Sequence, residues 1–150
     1  MKEYYSYERF QEETQKLIVK VEGFDAEAIV AIARGGLTLA HAMAEGLGLR
    51  DVETLRTELY DGESKRESIT LFGSCDFGAK HRVLVVDDIA DSGETLRAVM
   101  EYLEQNFKDI EFRAATLFYK KSSLYEPHYW MCEAKCWIDF FWEADFRRTL

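Results

Sequence analysis

The chain reads as an α/β fold with a mainly parallel central sheet flanked by helices. Two short runs predict it, Ala28–Ala33 and the Val83–Val86 part of Arg82–Val86, each apolar without a break. That is the pattern of strands covered on both faces. Each run leads into a glycine-bearing turn and then a segment of helical period. The 150 residues contain one proline, no repeat and no low-complexity linker, so one domain spanning 1–150 is expected.

Taken in order, Tyr7–Val21 puts Phe10, Leu17, Ile18 and Val21 on one helical face, with Thr14 between them and Gly23 as a stop signal. Ala28–Ala33 is the first buried strand and ends at Arg34-Gly35-Gly36. Leu37, Ala40, Ala44 and Leu47 recur at helical spacing up to Gly48. Thr54–Tyr60 alternates and reads as a strand. The polar stretch Asp61–Lys80 reads as a long loop or loose hairpin around Ile69–Phe72, a kind of segment that often serves as a lid. Arg82–Val86 is the second buried strand. Glu94–Phe107 is an amphipathic helix, with Leu96, Val99, Met100, Leu103 and Phe107 on one side. Phe112–Tyr119 and His128–Cys132 read as strands, and Cys136–Trp142 as a short aromatic segment.

A content of 47% hydrophobic and 14% aromatic residues predicts a packed globular chain. The net charge of -9 argues against nonspecific binding to nucleic acid. No apolar run reaches the length of a membrane span, and the polar, aromatic start Met1–Glu8 is unlike a signal peptide. Cys75, Cys132 and Cys136 are odd in number and read as reduced thiols of a cytoplasmic protein. His128, Cys132 and Cys136 have a metal-like spacing, but their segment reads as strand and offers no fourth ligand. An anionic ligand on so acidic a chain needs backbone amides, a few basic side chains and a divalent cation.

The stretch V-L-V-V-D-D-I-A-D-S-G-E-T-L, Val83–Leu96, sets three carboxylates where a buried strand is expected to end. Such groups repel one another and are costly to desolvate without partners. Ser92-Gly93-Glu94-Thr95 then opens a helix, where unpaired amides and the positive end of the macrodipole favour a phosphate. Asp91 or Ser92 as a plain helix cap, and Gly35-Gly36 as a plain tight turn, are the structural alternatives. A ribose diol beside a phosphate, with a divalent cation offsetting the acids, suits both the Asp87–Asp88 pair and the helix start.

That stretch resembles the phosphoribosyl-diphosphate (PRPP) signature of type I phosphoribosyltransferases: an apolar strand, two acids, then a loop D-[ST]-G-x-T. Its beginning also resembles a receiver domain, but there the acids lie near the N-terminus and no glycine cradle follows. A-I-A-R-G-G-L, L-Y-D-G-E-S-K-R-E, T-L-F-Y-K and W-I-D-F-F-W-E resemble, in the same order, segments of the bacterial xanthine-guanine members. The resemblance implies the type I fold with a small C-terminal hood. It implies that Asp91, Ser92, Gly93, Glu94 and Thr95 hold the PRPP phosphate and that Asp87 and Asp88 hold the ribose and Mg2+. Arg34, Gly35, Gly36 and Arg66 would hold pyrophosphate, with Tyr60 and Lys65 as further candidates and a cis peptide expected at Arg34–Gly35.

By the same resemblance Lys120, with Lys121 as an adjacent competitor, donates to a purine 6-oxo group, Trp137 stacks on the ring and Ile138 meets the base edge. Asp139 joins Asp87 and Asp88 as a candidate metal ligand, and Asp91 is the catalytic candidate. The implied partners are PRPP and a 6-oxo purine, with no nucleic acid and no membrane, in a homodimer or homotetramer. Phe141 stands where the family usually has proline, and Lys-Ser-Ser follows Lys120, so the choice among xanthine, guanine and hypoxanthine stays open. A PRPP-sensing regulator, or a transferase for another base, are the other readings.

Overall fold

The structure is a computed structural model and describes residues 1–60 and 68–148. In chain order it has β1 (Lys2–Tyr5), α1 (Tyr7–Val21), a 3-10 turn (Glu22–Phe24), β2 (Ala28–Ala33), α2 (Leu37–Leu47), β3 (Val52–Tyr60) and β4 (Ser68–Phe72). There follow β5 (Arg82–Ala90), α3 (Glu94–Asn106), β6 (Glu111–Tyr119), β7 (Tyr129–Glu133), β8 (Trp137–Phe140) and α4 (Phe141–Ala144). Six strands form one sheet in the order β4-β3-β2-β5-β6-β7. All neighbours in it run parallel except β4, which returns antiparallel along β3. β1 and β8 form a separate parallel ribbon. The expected α/β architecture is the one observed, including the hairpin around Ile69–Phe72.

The unbroken apolar runs have a direct structural meaning. Side chains alternate between the faces of a strand, and here both faces are covered. Ile29, Ala31, Leu84 and Val86 enter the core beneath α1 and α2, while Val30, Ile32, Val83 and Val85 enter the core beneath α3. Fully burying such a side chain stabilises by about 1.5–3 kcal/mol. The helices are bounded as their sequences suggest. Ser6 Oγ accepts from Arg9 N at 3.1 Å to open α1, and Gly48 closes α2 at φ 70°.

Two expectations are corrected, and one element was not anticipated. The second buried strand runs to Ala90, not Val86, because β6 continues beside it as far as Tyr119, so Asp87 and Asp88 lie within β5. The cis peptide is Ala33–Arg34, one bond earlier than expected. Met1–Glu8 contains a strand, β1, whose partner is 135 positions away, from Lys2 to Trp137. Its Tyr5 is fully buried and makes edge contacts with Phe118, Phe140 and Trp142. Around it Tyr5 Oη donates to Glu13 Oε1 at 2.6 Å, and Arg9 pairs with both Glu3 and Glu13.

Candidate active site

The parallel sheet brings the carboxyl ends of β2, β5 and β6 to one edge, where ligands of such sheets bind. Asp87 and Asp88 stand there at only 8% and 7% exposure. Asp87 Oδ1 accepts from Asp88 N, and Asp88 Oδ1 from Ile89 N, both at 2.8 Å. Burial, and then the neighbouring charge of Asp88, hold the Asp87 carboxyl well above the usual carboxylate range. Burial does the same for Asp88, and Glu143 adds to it. The pair is therefore a site that lacks positive charge. Adjacent hard oxygen donors at a substrate-binding edge suit Mg2+, which commonly takes one or two carboxylates and leaves room for substrate oxygens. Asp139 is not part of that set. Its Oδ1 accepts from Arg147 Nη1 at 2.9 Å, and among the described residues no three carboxylate, histidine or cysteine groups come together to hold a metal.

The loop after β2 abuts this pair, and its glycines are needed for close approach. A Cβ on Gly35 would lie 2.6 Å from Asp88 Oδ2, and one on Gly36 would lie 2.5 Å from the Val86 carbonyl. Neither glycine has a positive φ, so a simple tight turn does not explain them. Arg34 is exposed beside them and lines a 540 Å³ cleft with Gly35, Thr38, Glu143 and Arg147.

On the other side of the pair, β5 leads into Asp91, Ser92 and Gly93. Gly93 takes φ 85° and begins α3. The first backbone bond of the helix runs from Arg97 N to Gly93 O at 3.0 Å, which leaves the earlier amides for a ligand, except that Glu94 N leans on Ser92 Oγ at 3.3 Å. The segment after β6 closes over this turn. Lys120 N donates to Ala90 O at 3.0 Å and Leu124 N to Ser92 O at 2.8 Å. A Cβ on Gly93 would run into Ser123 Oγ and sit 2.7 Å from the amides of Leu124 and Tyr125.

A cleft of 250 Å³ joins these parts, lined by Asp88, Asp91, Lys120, Trp137, Ile138 and Glu143 among others. Lys120 Nζ is 3.6 Å from Asp91 Oδ1. Lys121 turns away to Glu133, at 3.7 Å. Trp137 is 57% exposed, which excludes core packing as its role, whereas Ile138 is buried and anchors the wall. Phe140 and Trp142 stack beneath, with centroids 4.6 Å apart. The more spacious groove between α2 and the start of β3, 790 Å³, is lined by none of these residues. Arg66 and Lys65 lie outside the described residues, as does the Tyr60 side chain.

Lys120, Asp91, Trp137, Ile138 and Asp88 therefore share one cleft, with Ser92–Thr95 on one flank and Arg34–Gly36 on the other. Sequence reasoning passed over Lys135 and Glu143, which also line the cleft. Lys135 lies in the short connection just before Trp137, and nothing in the sequence around it signalled a place in the cleft. Cys132 and His128 have structural partners: Glu13 Oε2 accepts from Cys132 Sγ at 2.9 Å, and His128 Nδ1 accepts from Ala114 N at 3.0 Å.

Residues 4–147 match the phosphoribosyl transferase domain family. A xanthine-guanine phosphoribosyltransferase of Chromohalobacter salexigens is 30% identical over 140 residues, 92% of this chain and 82% of the relative. Among solved structures, the xanthine-guanine-hypoxanthine phosphoribosyltransferase of Helicobacter pylori superposes with a TM-score of 0.90 at 34% identity, covering 97% of this chain and 96% of that one. A purine phosphoribosyltransferase from Pyrococcus horikoshii Ot3 gives 0.86 at 27% identity, covering 99% and 97%. With the acid pair, the amide-rich turn and the glycine loop meeting at one sheet edge, the chain belongs to the phosphoribosyltransferase family and is a glycosyl-transferring enzyme.

Proposed function

We propose that the protein is a purine salvage enzyme. It transfers the 5-phosphoribosyl group of PRPP to N9 of a 6-oxo purine (xanthine, guanine or hypoxanthine) and releases pyrophosphate. The observation that carries this reading is the Lys120–Asp91 pair, 3.6 Å apart, in the same cleft as the exposed Trp137. O6 and N7 are adjacent on one edge of a 6-oxo purine. Lys120 donates to O6, Asp91 faces N7 and Trp137 covers the ring. An ammonium is a donor only, so the same position disfavours a 6-amino purine. The relatives named for purine bases support the reading.

In this mechanism the amides of Gly93–Thr95, with the Ser92 and Thr95 hydroxyls, bind the 5-phosphate. Asp87 and Asp88 accept from the ribose hydroxyls. They would also hold Mg2+, which when bound supplies positive charge to the diol and the pyrophosphate. Purine N9 bonds to C1 as the bond from C1 to the pyrophosphate oxygen breaks, and the N7 proton passes to the Asp91 carboxylate. Positive charge builds on the sugar near Asp87 and Asp88, and negative charge on the leaving group near Arg34 and the amides of Gly35–Gly36. Preorganised charge of this kind usually gives the largest share of the rate. Arg66 is a further pyrophosphate partner in this reading. The protein acts in the cytoplasm as a homodimer or homotetramer of single-domain chains.

Incubating the protein with PRPP, magnesium and each base separately tests the proposal. Nucleotide is expected from at least one of the three 6-oxo purines and not from adenine or a pyrimidine. PRPP binding with no nucleotide from any base would replace the enzyme reading with that of a PRPP sensor.

A further inference from the structure

The base cleft holds a second ammonium that this mechanism does not use. Lys135 lies in the turn between β7 and β8, is exposed, and lines the same cleft as Lys120. Lys120 is matched by Asp91 at 3.6 Å and Lys121 by Glu133 at 3.7 Å. Among the described residues Lys135 has no carboxylate within ion-pair distance. A solvated surface charge is the ordinary state of an exposed lysine, but its position sets this one apart. Burial alternates from Ala134 to Ile138, with Lys135 and Trp137 exposed and Ala134 and Ile138 buried. Lys135 thus reaches the same cleft as the ring proposed to stack on the base.

In the proposed orientation O6 and N7 are taken up by Lys120 and Asp91, which leaves the C2 edge of the purine to the rest of the cleft lining, Lys135 included. The three candidate bases differ only at that edge. Xanthine carries a 2-oxo acceptor, guanine a 2-amino donor and hypoxanthine a C–H. Xanthine is also the most acidic of the three and is partly anionic near neutral pH. The cleft already contains Asp88, Asp91 and Glu143, so an anionic base is repelled unless a second cation offsets them.

We infer that Lys135 is a specificity-determining residue, donating to the 2-oxo group of xanthine and biasing the enzyme toward xanthine over guanine. The inference rests on the 6-oxo purine reading. The Ile138 carbonyl works in the opposite sense, accepting from the guanine 2-amino group. The charged donor prevails because a charge-assisted hydrogen bond is about twice as strong as a neutral one.

The test is kcat/KM for xanthine, guanine and hypoxanthine in the wild type, Lys135→Met, Lys135→Glu and Lys121→Met, with affinity for the product nucleotides measured separately by calorimetry. In Lys135→Met the xanthine-to-guanine ratio is expected to fall about tenfold, and further in Lys135→Glu. Xanthosine monophosphate should lose affinity relative to guanosine monophosphate in the same order. Lys121→Met should leave the ratio at its wild-type value. If the wild type uses these bases and Lys135→Met keeps the ratio within about twofold, the role of Lys135 is overturned while the transferase reading stands. If the wild type forms no nucleotide and binds none of the product nucleotides, both fall together.

Discussion

Asp91 is half exposed at the turn between β5 and α3, and its charged partner among the described residues is Lys120. Replacing it by Asn keeps the shape and removes the proposed proton acceptor. Asp91→Asn is expected to lower kcat by about 10²–10⁴-fold while PRPP affinity changes little. Steady-state kinetics beside direct PRPP binding checks this, and equal losses in both would refute the role. The buried pair makes a second, pH-dependent prediction. Its carboxyls titrate above the ordinary aspartate value of about 3.9. Their contribution to stability is therefore complete below that value and is lost as pH rises through the raised folded-state pKa, about 6 for Asp88. Under the proposed function, magnesium and the ribose diol need both groups ionised, so ligand affinity is expected to run the other way and weaken on acidification. Calorimetry of PRPP–magnesium binding near pH 6, in buffers of different ionisation heat, should detect proton release from Asp88 that diminishes as pH rises above that value. Binding without proton release at the lower pH would contradict it.

At the scale of elements, the β2–α2 loop is fitted against β5 by two glycines with separable consequences. Gly36→Ala meets the Val86 carbonyl, which cannot rotate away, and should cost about 1–3 kcal/mol in urea denaturation. Gly35→Ala meets the Asp88 carboxylate, which can swing, so it should weaken PRPP binding more than it weakens the fold. At the far edge of the sheet, His128 Nδ1 accepts from Ala114 N, which requires an unprotonated nitrogen. Burial, and then Arg113, lower its pKa. Its contribution is present above the unfolded value of about 6.5 and is lost as pH falls through the lower folded value. His128→Asn, which keeps an acceptor without titrating, should flatten the decline in stability from neutral to acid pH.

These elements also mark how far the sequence could be read. Apolar runs with glycine turns located β2, β5, α2 and α3, because burial on two faces and helix starts leave local signatures. The extension of β5 through Asp87 and Asp88 left none, since the ladder with β6 is a property of backbone pairing and not of side-chain pattern. Asp91, Lys120 and Trp137 could be named from motifs, but that Lys120 faces Asp91 while Lys121 faces Glu133 depends on how β6 exits the sheet.

Across the whole molecule, β1 ties Lys2–Tyr5 to the cleft that carries Trp137 and Ile138. Tyr5 fills the space under Phe118, Phe140 and Trp142, and β1 pairs along β8, which carries Trp137 and Ile138. Tyr5→Ala should cost about 3–5 kcal/mol on unfolding. It should also weaken purine binding more than PRPP binding, since the cradle at Gly93 belongs to the main sheet. Tyr5→Phe, which removes only the bond to Glu13, should cost about 1.5–3 kcal/mol. Comparing urea curves and base affinities for the two variants separates packing from the hydrogen bond.

The pairing of Lys2–Tyr5 with Trp137–Phe140 also orders events on the ribosome. Domains generally fold as units during synthesis, and this strand must wait until some 135 more residues have emerged. Throughout elongation an aromatic side chain made for a dry interior stays wet and open to the wrong neighbours.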